Sequence, residues 1–213
     1  SPVKMKKLLS SLEEASATQI MIATHSNSIC SRLDLHNASI LSPDSTTPIP
    51  LKDLPNETAN FFVKAPDNKI LEFVLAKKVV LVEGDAEYIL IEAMYENLFN
   101  EKLEDSEVHV ISVGGTSFKR YMDLAKLLNI KTAVIRDNDG DFQRKCVENY
   151  EDYVTDLIRV FYDEDNEARS TLELCVFRDN EELCIQLFSE GRKTLSVLEY
   201  MLANKADAAL KLL

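Results

Sequence analysis

Glycine is scarce in this chain of 213 residues: there are five, and none precedes Gly84. A phosphate-cradling GxxxxGK[ST] loop is therefore absent, and these residues alone are not expected to bind or hydrolyse ATP. The four cysteines, Cys30, Cys146, Cys175 and Cys184, show no CxxC spacing and no histidine at zinc-ligand intervals. That argues against a zinc site or a disulfide framework and for buried thiols. No apolar run approaches the roughly 18 residues of a membrane span, and the opening SPVKMKKLLSSLEEA lacks the apolar centre and cleavage site of a signal peptide. A cytoplasmic protein with no membrane partner is expected. Basic residues are outnumbered, 24 against 36 acidic ones, for a formal charge of -12. Taken alone, that charge opposes nonspecific nucleic-acid binding, which draws on Lys and Arg. Carboxylates that collect divalent cations would lose part of it to the ions.

What is present is organised around VVLVEGDAEYILI, residues 79–91. Four consecutive β-branched and aliphatic residues predict a strand buried on both faces of a parallel sheet. The pattern breaks at Glu83, Gly84 supplies freedom for a tight turn, and Asp85 is a suitable N-cap for a helix carrying Glu87. Both acids then lie near the C-terminal end of a strand, the edge where open α/β sheets bind ligands. An isolated EGxxE is equally compatible with first-turn acids that complement the helix dipole.

Upstream, a helix is expected over residues 2–15, a buried strand over 19–23 (QIMIA), then Thr24, His25 and Ser26, and a helix over 28–33. Five of the six prolines fall between Leu41 and Asp67, which predicts a connector with short strands at 40–42 and 61–64. A helix over 67–76 delivers the chain into the strand at 79–82. Downstream, VHVISV (108–113) is a strand ended by Gly114 and Gly115, with Thr116 capping a helix over 117–128. TAVI (132–135) is a strand that runs into RDNDGD, followed by a helix over 142–149. Strands are expected at 159–163 and 172–177, and helices at 180–189 and 195–213. The alternation of strands and helices predicts a doubly wound, mainly parallel α/β sheet.

Asp137 and Asp139 bracket one residue at a strand end, so their side chains can share a side of the backbone. Two strand ends bearing paired carboxylates bring at least four negative charges to one edge, an arrangement that raises carboxylate pKa values and favours bound cations. Hard oxygen ligands with room for water suit Mg²⁺ or Mn²⁺. Other readings of DNDGD remain open at this level. It is a good turn sequence. It also places Asp137, Asp139, Asp141 and Glu148 as a calcium loop would, although Phe142 stands where such a loop needs Gly. A phosphoacceptor receiver domain also carries acids at strand ends, but pairs them after its first strand.

VLVEGDAE, the glycine pair after VHVISV, and VIRDND resemble, in order, the elements of the Toprim fold shared by topoisomerases, primases and some nucleases. The helix, strand and T-H-S at the start resemble the end of an ABC-type ATPase core, in which such a histidine senses the γ-phosphate; His25 would be its remnant. Together they resemble the overcoming-lysogenization-defect (OLD) family, in which an ATPase precedes a Toprim nuclease. The resemblance implies an ATPase remnant and connector over residues 1–66 and a Toprim-like domain over 67–213, a mainly parallel sheet flanked by helices, with an N-terminal helix/strand appendage and C-terminal helices. It implies metal ligation by Glu83, Glu87, Asp137 and Asp139, and by Glu173 of the STLE motif. Lys205 is the expected cation near the C-terminus, with Arg192 and Lys193 as rivals for a phosphate. Gly114, Gly115 and Thr116 would offer phosphate donors, although a plain turn explains them too. The implied activity is hydrolysis of DNA phosphodiesters with two Mg²⁺ or Mn²⁺ ions, with Glu83, Asp137 and Lys205 as catalytic residues. DNA, the protein's own N-terminal ATPase domain and a second copy of the chain would be partners. The rival reading is a non-catalytic metal- or DNA-binding assembly module. No tyrosine has a context that marks a topoisomerase nucleophile.

Overall fold

The structure, a computed structural model, describes residues 34–41, 46–65, 69–189 and 195–213, together with Lys4, Lys7, Ser11, Gln19 and residues 21–26. Most of the helix expected over 2–15, the helix expected over 28–33, and both Arg192 and Lys193 lie outside the described residues. The chain divides into two compact units, Ser1–Leu75 and Ala76–Leu213. No helix among the described residues is long and apolar enough to cross a membrane.

In the first unit, β1 (Ser39–Ile40) and β2 (Ile49–Pro50) form a short antiparallel ladder. The strand expected at 61–64 is instead the last turn of helix α1 (Asn56–Lys64). Pro55 sets the backbone just before it, and Thr58, Ala59 and Phe62 bury one helical face, so a 3.6-residue period overrides the β-propensity of FFV. Helix α2 (Ile70–Leu75) is shorter than expected and buries Ile70, Phe73 and Val74. Gln19 and residues 21–23 are not in a strand, and Met21 is 90% exposed. A strand exists only through hydrogen bonds to a neighbour, and no described residue pairs with this segment.

The second unit is built on β3 (Lys78–Val82), β4 (Val108–Ser112), β5 (Lys131–Ile135) and β6 (Ile158–Phe161), all parallel, in the order β4-β3-β5-β6. Val79, Leu81 and Val82 are buried in the central strand, as expected for a sheet flanked by helices. Helix α3 (Asp85–Phe99) follows β3, and α4 (Phe118–Leu128) follows β4. Gly84, not Asp85, is the N-cap of α3, and Ser117, not Thr116, that of α4. Helix α4 buries Phe118, Tyr121, Met122, Leu124 and Ala125 at helical spacing. Phe118 is fully buried and meets Tyr150 edge-on, with ring centroids 6.3 Å apart. Phe118→Ala is expected to cost about 3–5 kcal/mol in urea unfolding.

The helix expected over 142–149 is wound as a π-turn, Gln143–Val147, and a 3-10 turn, Glu148–Tyr150. The strand expected at 172–177 is helix α5 (Leu172–Asp179), because Thr171 caps it by accepting from Leu174 N at 3.4 Å, and Leu172 and Val176, one turn apart, pack against Ala86, Leu90 and Ala209. Helix α6 (Glu181–Phe188) follows. The single helix expected over 195–213 is broken into α7 (Val197–Ala203) and α8 (Lys205–Leu212). Asn204, with φ -132 and ψ 53, ends one helix and starts the next; its Nδ2 donates to Tyr200 O at 3.0 Å, and its carbonyl accepts from Ala208 N at 2.8 Å. Lys205 thereby becomes the first residue of a helix that packs on α3.

Candidate active site

The first strand of the sheet, β3, connects outward to β4, whereas β5 lies on its other side. The chain therefore reverses direction across the sheet between β3 and β5, and the strand ends at such a switch point form a crevice. Glu83 follows β3 and Asp137 lies two residues beyond β5, with Leu81 and Val134 in register. The two acidic motifs are brought together by this pairing alone.

Around Glu83 the backbone is pinned. Gly115 N donates to Glu83 O at 2.9 Å, so one expected phosphate donor is already engaged. Gly114 and Gly115 have φ of 66 and 109, which only glycine adopts without strain. Glu87, almost fully buried, accepts from Gly84 N at 3.1 Å through Oε2, half of a capping box. The first-turn role considered for Glu87 is thus real, and one of its oxygens remains beyond it.

The RDND segment carries the most hydrogen bonds. Asp139 is left-handed at φ 47, a conformation Asp tolerates in turns. Asn138, 1% exposed, donates through Nδ2 to Asp163 O at 2.8 Å and Asp165 O at 3.1 Å, and accepts from Gly140 N at 2.8 Å. Asp139 N donates to Ser170 O at 3.0 Å, and Leu172 N donates to Asp137 Oδ1 at 3.0 Å. These bonds latch the loop before α5 to the end of β5 and so deliver Glu173 beside Asp137. Asp141 turns away to Arg144, 3.1 Å distant, and Glu148 accepts from Gln143 Nε2 at 3.3 Å, so no calcium-loop cage forms.

Three cations sit among the acids, one of them Lys145, whose Nζ lies 3.3 Å from Asp139 Oδ2. Arg136, 6% exposed, donates from Nη1 to Glu83 and from Nη2 to Asp139 at 2.7 Å. Lys205 Nζ stands 2.9 Å from Glu173 Oε2 and 3.9 Å from Asp137 Oδ2. The Glu173 contact is an ion pair, and apart from this ammonium group neither carboxylate oxygen of the 4% exposed residue has a hydrogen-bond donor.

Burial raises the Asp137 carboxyl to about 7; Lys205 opposes the shift, and Glu87, Glu173 and Glu83 reinforce it. Burial also raises Glu83, and outweighs its Arg136 partner. Burial works against ionised Asp139 too, but there the Arg136 and Lys145 contacts win and hold the carboxyl below the usual range. For Lys205, burial opposes the charge, and Glu173 and Asp137 more than restore it.

Among the described residues, no three His, Cys, Asp or Glu side chains are already converged as a metal cage. The donor set nevertheless fits a hard divalent cation: it is all carboxylate, it is crowded, and its most buried member, Glu173, has no donor besides the Lys205 ammonium group. Glu83, Glu87, Asp137, Asp139, Glu173 and Lys205 thus gather at one edge. Thr116 is exposed near it. His25 is exposed in the first unit, beside Thr24, whose hydroxyl accepts from Ser26 N at 3.0 Å. The sequence reading missed Arg136, Asn138 and Lys145. For Arg136 and Asn138 the one signal was the density of polar residues in RDNDGD.

A family model described as the Overcoming lysogenization defect protein-like, TOPRIM domain matches residues 74–139. The Old nuclease of Escherichia phage P2 is 26% identical over 133 residues, which make up 58% of this chain and 23% of that protein. The chain therefore spans about a quarter of that relative's length. Among solved structures, the C-terminal region of the Burkholderia pseudomallei OLD protein is 27% identical, with a TM-score of 0.45 over 64% of this chain and 76% of that one. The C-terminal region of the Xanthomonas campestris pv. campestris OLD protein is 23% identical, with a TM-score of 0.43 over 64% and 82%. Glu173 and Lys205 lie beyond the segment that the family model covers. Residues 74–139, which carry Glu83, Glu87, Asp137 and Asp139, are thus the part of the chain that is similar to the Toprim domain of OLD-like proteins.

Proposed function

We propose that the chain is a divalent-metal-dependent DNA phosphodiesterase, an endonuclease or nickase, coupled in the whole protein to an ATPase domain whose end and connector are residues 1–66. The observation that carries this reading is the gathering of five carboxylates from two neighbouring strand ends and the start of α5, with Lys205 set against them. Mg²⁺ or Mn²⁺ held by Glu83, Glu87, Asp137, Asp139 and Glu173 would supply Lewis acidity and an activated water at neutral pH. The chain itself would contribute the rest. Arg136 fixes the Glu83 and Asp139 carboxylates in orientation by a two-pronged contact. Lys205, carried on α8 and kept protonated by Glu173 and Asp137, would place positive charge where an attacked phosphate gains negative charge. The latch made by Asn138 would keep Glu173 in reach of Asp137. The match to an OLD-like Toprim domain and the similarity to a protein named Old nuclease support the same reading.

Supercoiled plasmid incubated with the protein and Mn²⁺ is expected to be nicked, with the activity lost in Glu83→Ala and Asp137→Ala variants that retain their far-UV circular dichroism. Cleavage that persists in both folded variants would refute the site. Mn²⁺ binding without any cleavage would favour the assembly-module reading instead.

A further inference from the structure

Strands of a parallel sheet are ordinarily covered on both faces, and half of this sheet is covered on one. Side chains alternate along a strand, and residues in register on parallel neighbours share a face. On one face β5 and β6 bury Thr132, Val134 and Ile158. The other face carries Lys131, Ala133 and Ile135 of β5 beside Leu157, Arg159 and Phe161. There Lys131 and Arg159 are exposed, and Leu157 and Phe161 are exposed by 38% and 53%. Helix α3 closes the part of this face over β3, where its Ile91 and Tyr95 pack with Val80 and Val82, and the half-buried Ile135 packs against the same cluster.

A further strand is not what would cover it. On the outer side of β6, Ile158 N donates to Thr155 Oγ1 at 3.1 Å and Ile158 O accepts from Thr155 N at 2.9 Å, so the edge backbone is already engaged. A partner therefore lies on the face, with apolar groups for Leu157 and Phe161 and acids for Arg159 and Lys131. The same face of a second copy does not meet that need, because it would set these cations against themselves. Helix α6 does. It holds to its own chain through Cys184 and Phe188, and it exposes Leu183 by 49% and Leu187 by 42%, one turn apart. Exposed Glu182 and Gln186, also one turn apart, run beside them. The 8 residues of α6 reach about 12 Å, and Leu157 to Phe161 reaches about 13 Å along the strand.

We propose that the open β5–β6 face is a docking site for α6 of a second copy of the chain, with Leu183 and Leu187 against Leu157 and Phe161, and Glu182 against Arg159. Both surfaces are exposed within one chain, so the contact joins copies. A two-fold axis repeats it, α6 of each copy on the face of the other, and closes a dimer. Neither surface includes a member of the carboxylate cluster, so the dimer forms without metal. The contact is small, and a dissociation constant on the order of 10 µM is expected of an interface at the low end of size.

The test is sedimentation equilibrium of the full chain in EDTA, where a monomer–dimer equilibrium is expected. Phe161→Asp and Leu187→Asp should each raise its dissociation constant at least ~10-fold, as loss of a central apolar contact does. If Phe161→Asp does not fold, Leu157→Asp, just outside the strand, takes its place. Arg159→Glu and Glu182→Arg should each weaken the dimer, and the two together in one chain should restore it at least in part. A wild-type chain that stays monomeric at millimolar concentration would overturn the proposal. So would a dimer unmoved by the apolar substitutions, or one that the paired charge reversal fails to recover. A monomer that binds a short DNA duplex in EDTA, and binds it less tightly as Arg159→Glu, would make nucleic acid the occupant of the face and overturn the proposal too.

Discussion

Replacing Asp137 by Asn is expected to stabilise the metal-free protein at neutral pH while removing its response to metal. The folded carboxyl titrates at about 7, against an ordinary value of 3.8. Between those two values the folded chain holds a proton that the unfolded chain has released. Stability from this group is therefore present at low pH and lost as the pH rises through about 7. The full span corresponds to up to about 4 kcal/mol, with the cluster's own relaxation reducing it. Glu83, also displaced upward, acts in the same direction, and Asp139, held low by Arg136, acts oppositely at more acidic pH. Asn at position 137 retains an Oδ1 to accept the Leu172 N–H but carries no charge. Thermal unfolding in EDTA should show the wild-type chain losing stability as pH rises from mildly acidic to mildly alkaline, and Asp137→Asn losing much less. Added Mn²⁺ should then stabilise the wild-type chain, because a ligand bound only by the folded state shifts the equilibrium, and should not stabilise the variant. Cleavage should fall at least ~10²-fold, the lower range for removal of one charge-stabilising group. A variant less stable than wild type in alkaline EDTA, or one still stabilised by Mn²⁺, would contradict the assignment.

The second large effect is expected at Asn138, between the two aspartates. Its side chain, 1% exposed, clamps the carbonyls of Asp163 and Asp165 and accepts the Gly140 N–H. Asn138→Ala leaves these groups without partners and is expected to cost roughly 2–4 kcal/mol in urea unfolding. The consequence for the site is separate. Arg169, paired with Asp163 at 2.6 Å and with Asp179 at 2.6 Å, would still tie the loop to α5, but the loop would no longer be referenced to β5. Glu173 would then be delivered less accurately, and Mn²⁺ affinity should fall ~10–100-fold, as when a partner that orients a ligand is removed. Asn138→Asp should do at least as much harm, since a carboxylate cannot donate to the two carbonyls it would face. Undiminished Mn²⁺ affinity in a destabilised Asn138→Ala chain would show that the latch serves the fold alone.

Signals confined to a few consecutive residues are legible in the amino-acid sequence itself. VVLV followed by Glu83 and Gly84, VHVISV followed by two glycines, and TAVI followed by RDND each state a buried strand and its end, and the observed strands begin and end within one or two residues of those runs. Alternation with helical periods then implies a parallel sheet, because parallel strands need a crossover between them. Misreadings arise where short apolar runs fit either period. FFVK and LELCVF are helices because the first belongs to a helix that buries Thr58, Ala59 and Phe62, and the second packs Leu172 and Val176, one turn apart, and has a Thr cap besides.

Tertiary structure decided the rest. The β4-β3-β5-β6 order puts Glu83 beside Asp137, and no local pattern states which strands are neighbours. Arg136 reaches Glu83 across 53 positions of sequence, and Leu172 N reaches Asp137 across 35. The sequence by itself determined which carboxylates stand at strand ends, since a strand's end is written in the residues that form it. Only the folded chain decided which cations oppose them: the helix break at Asn204 that sets Lys205, and the buried position of Arg136, arise from packing between segments remote in sequence.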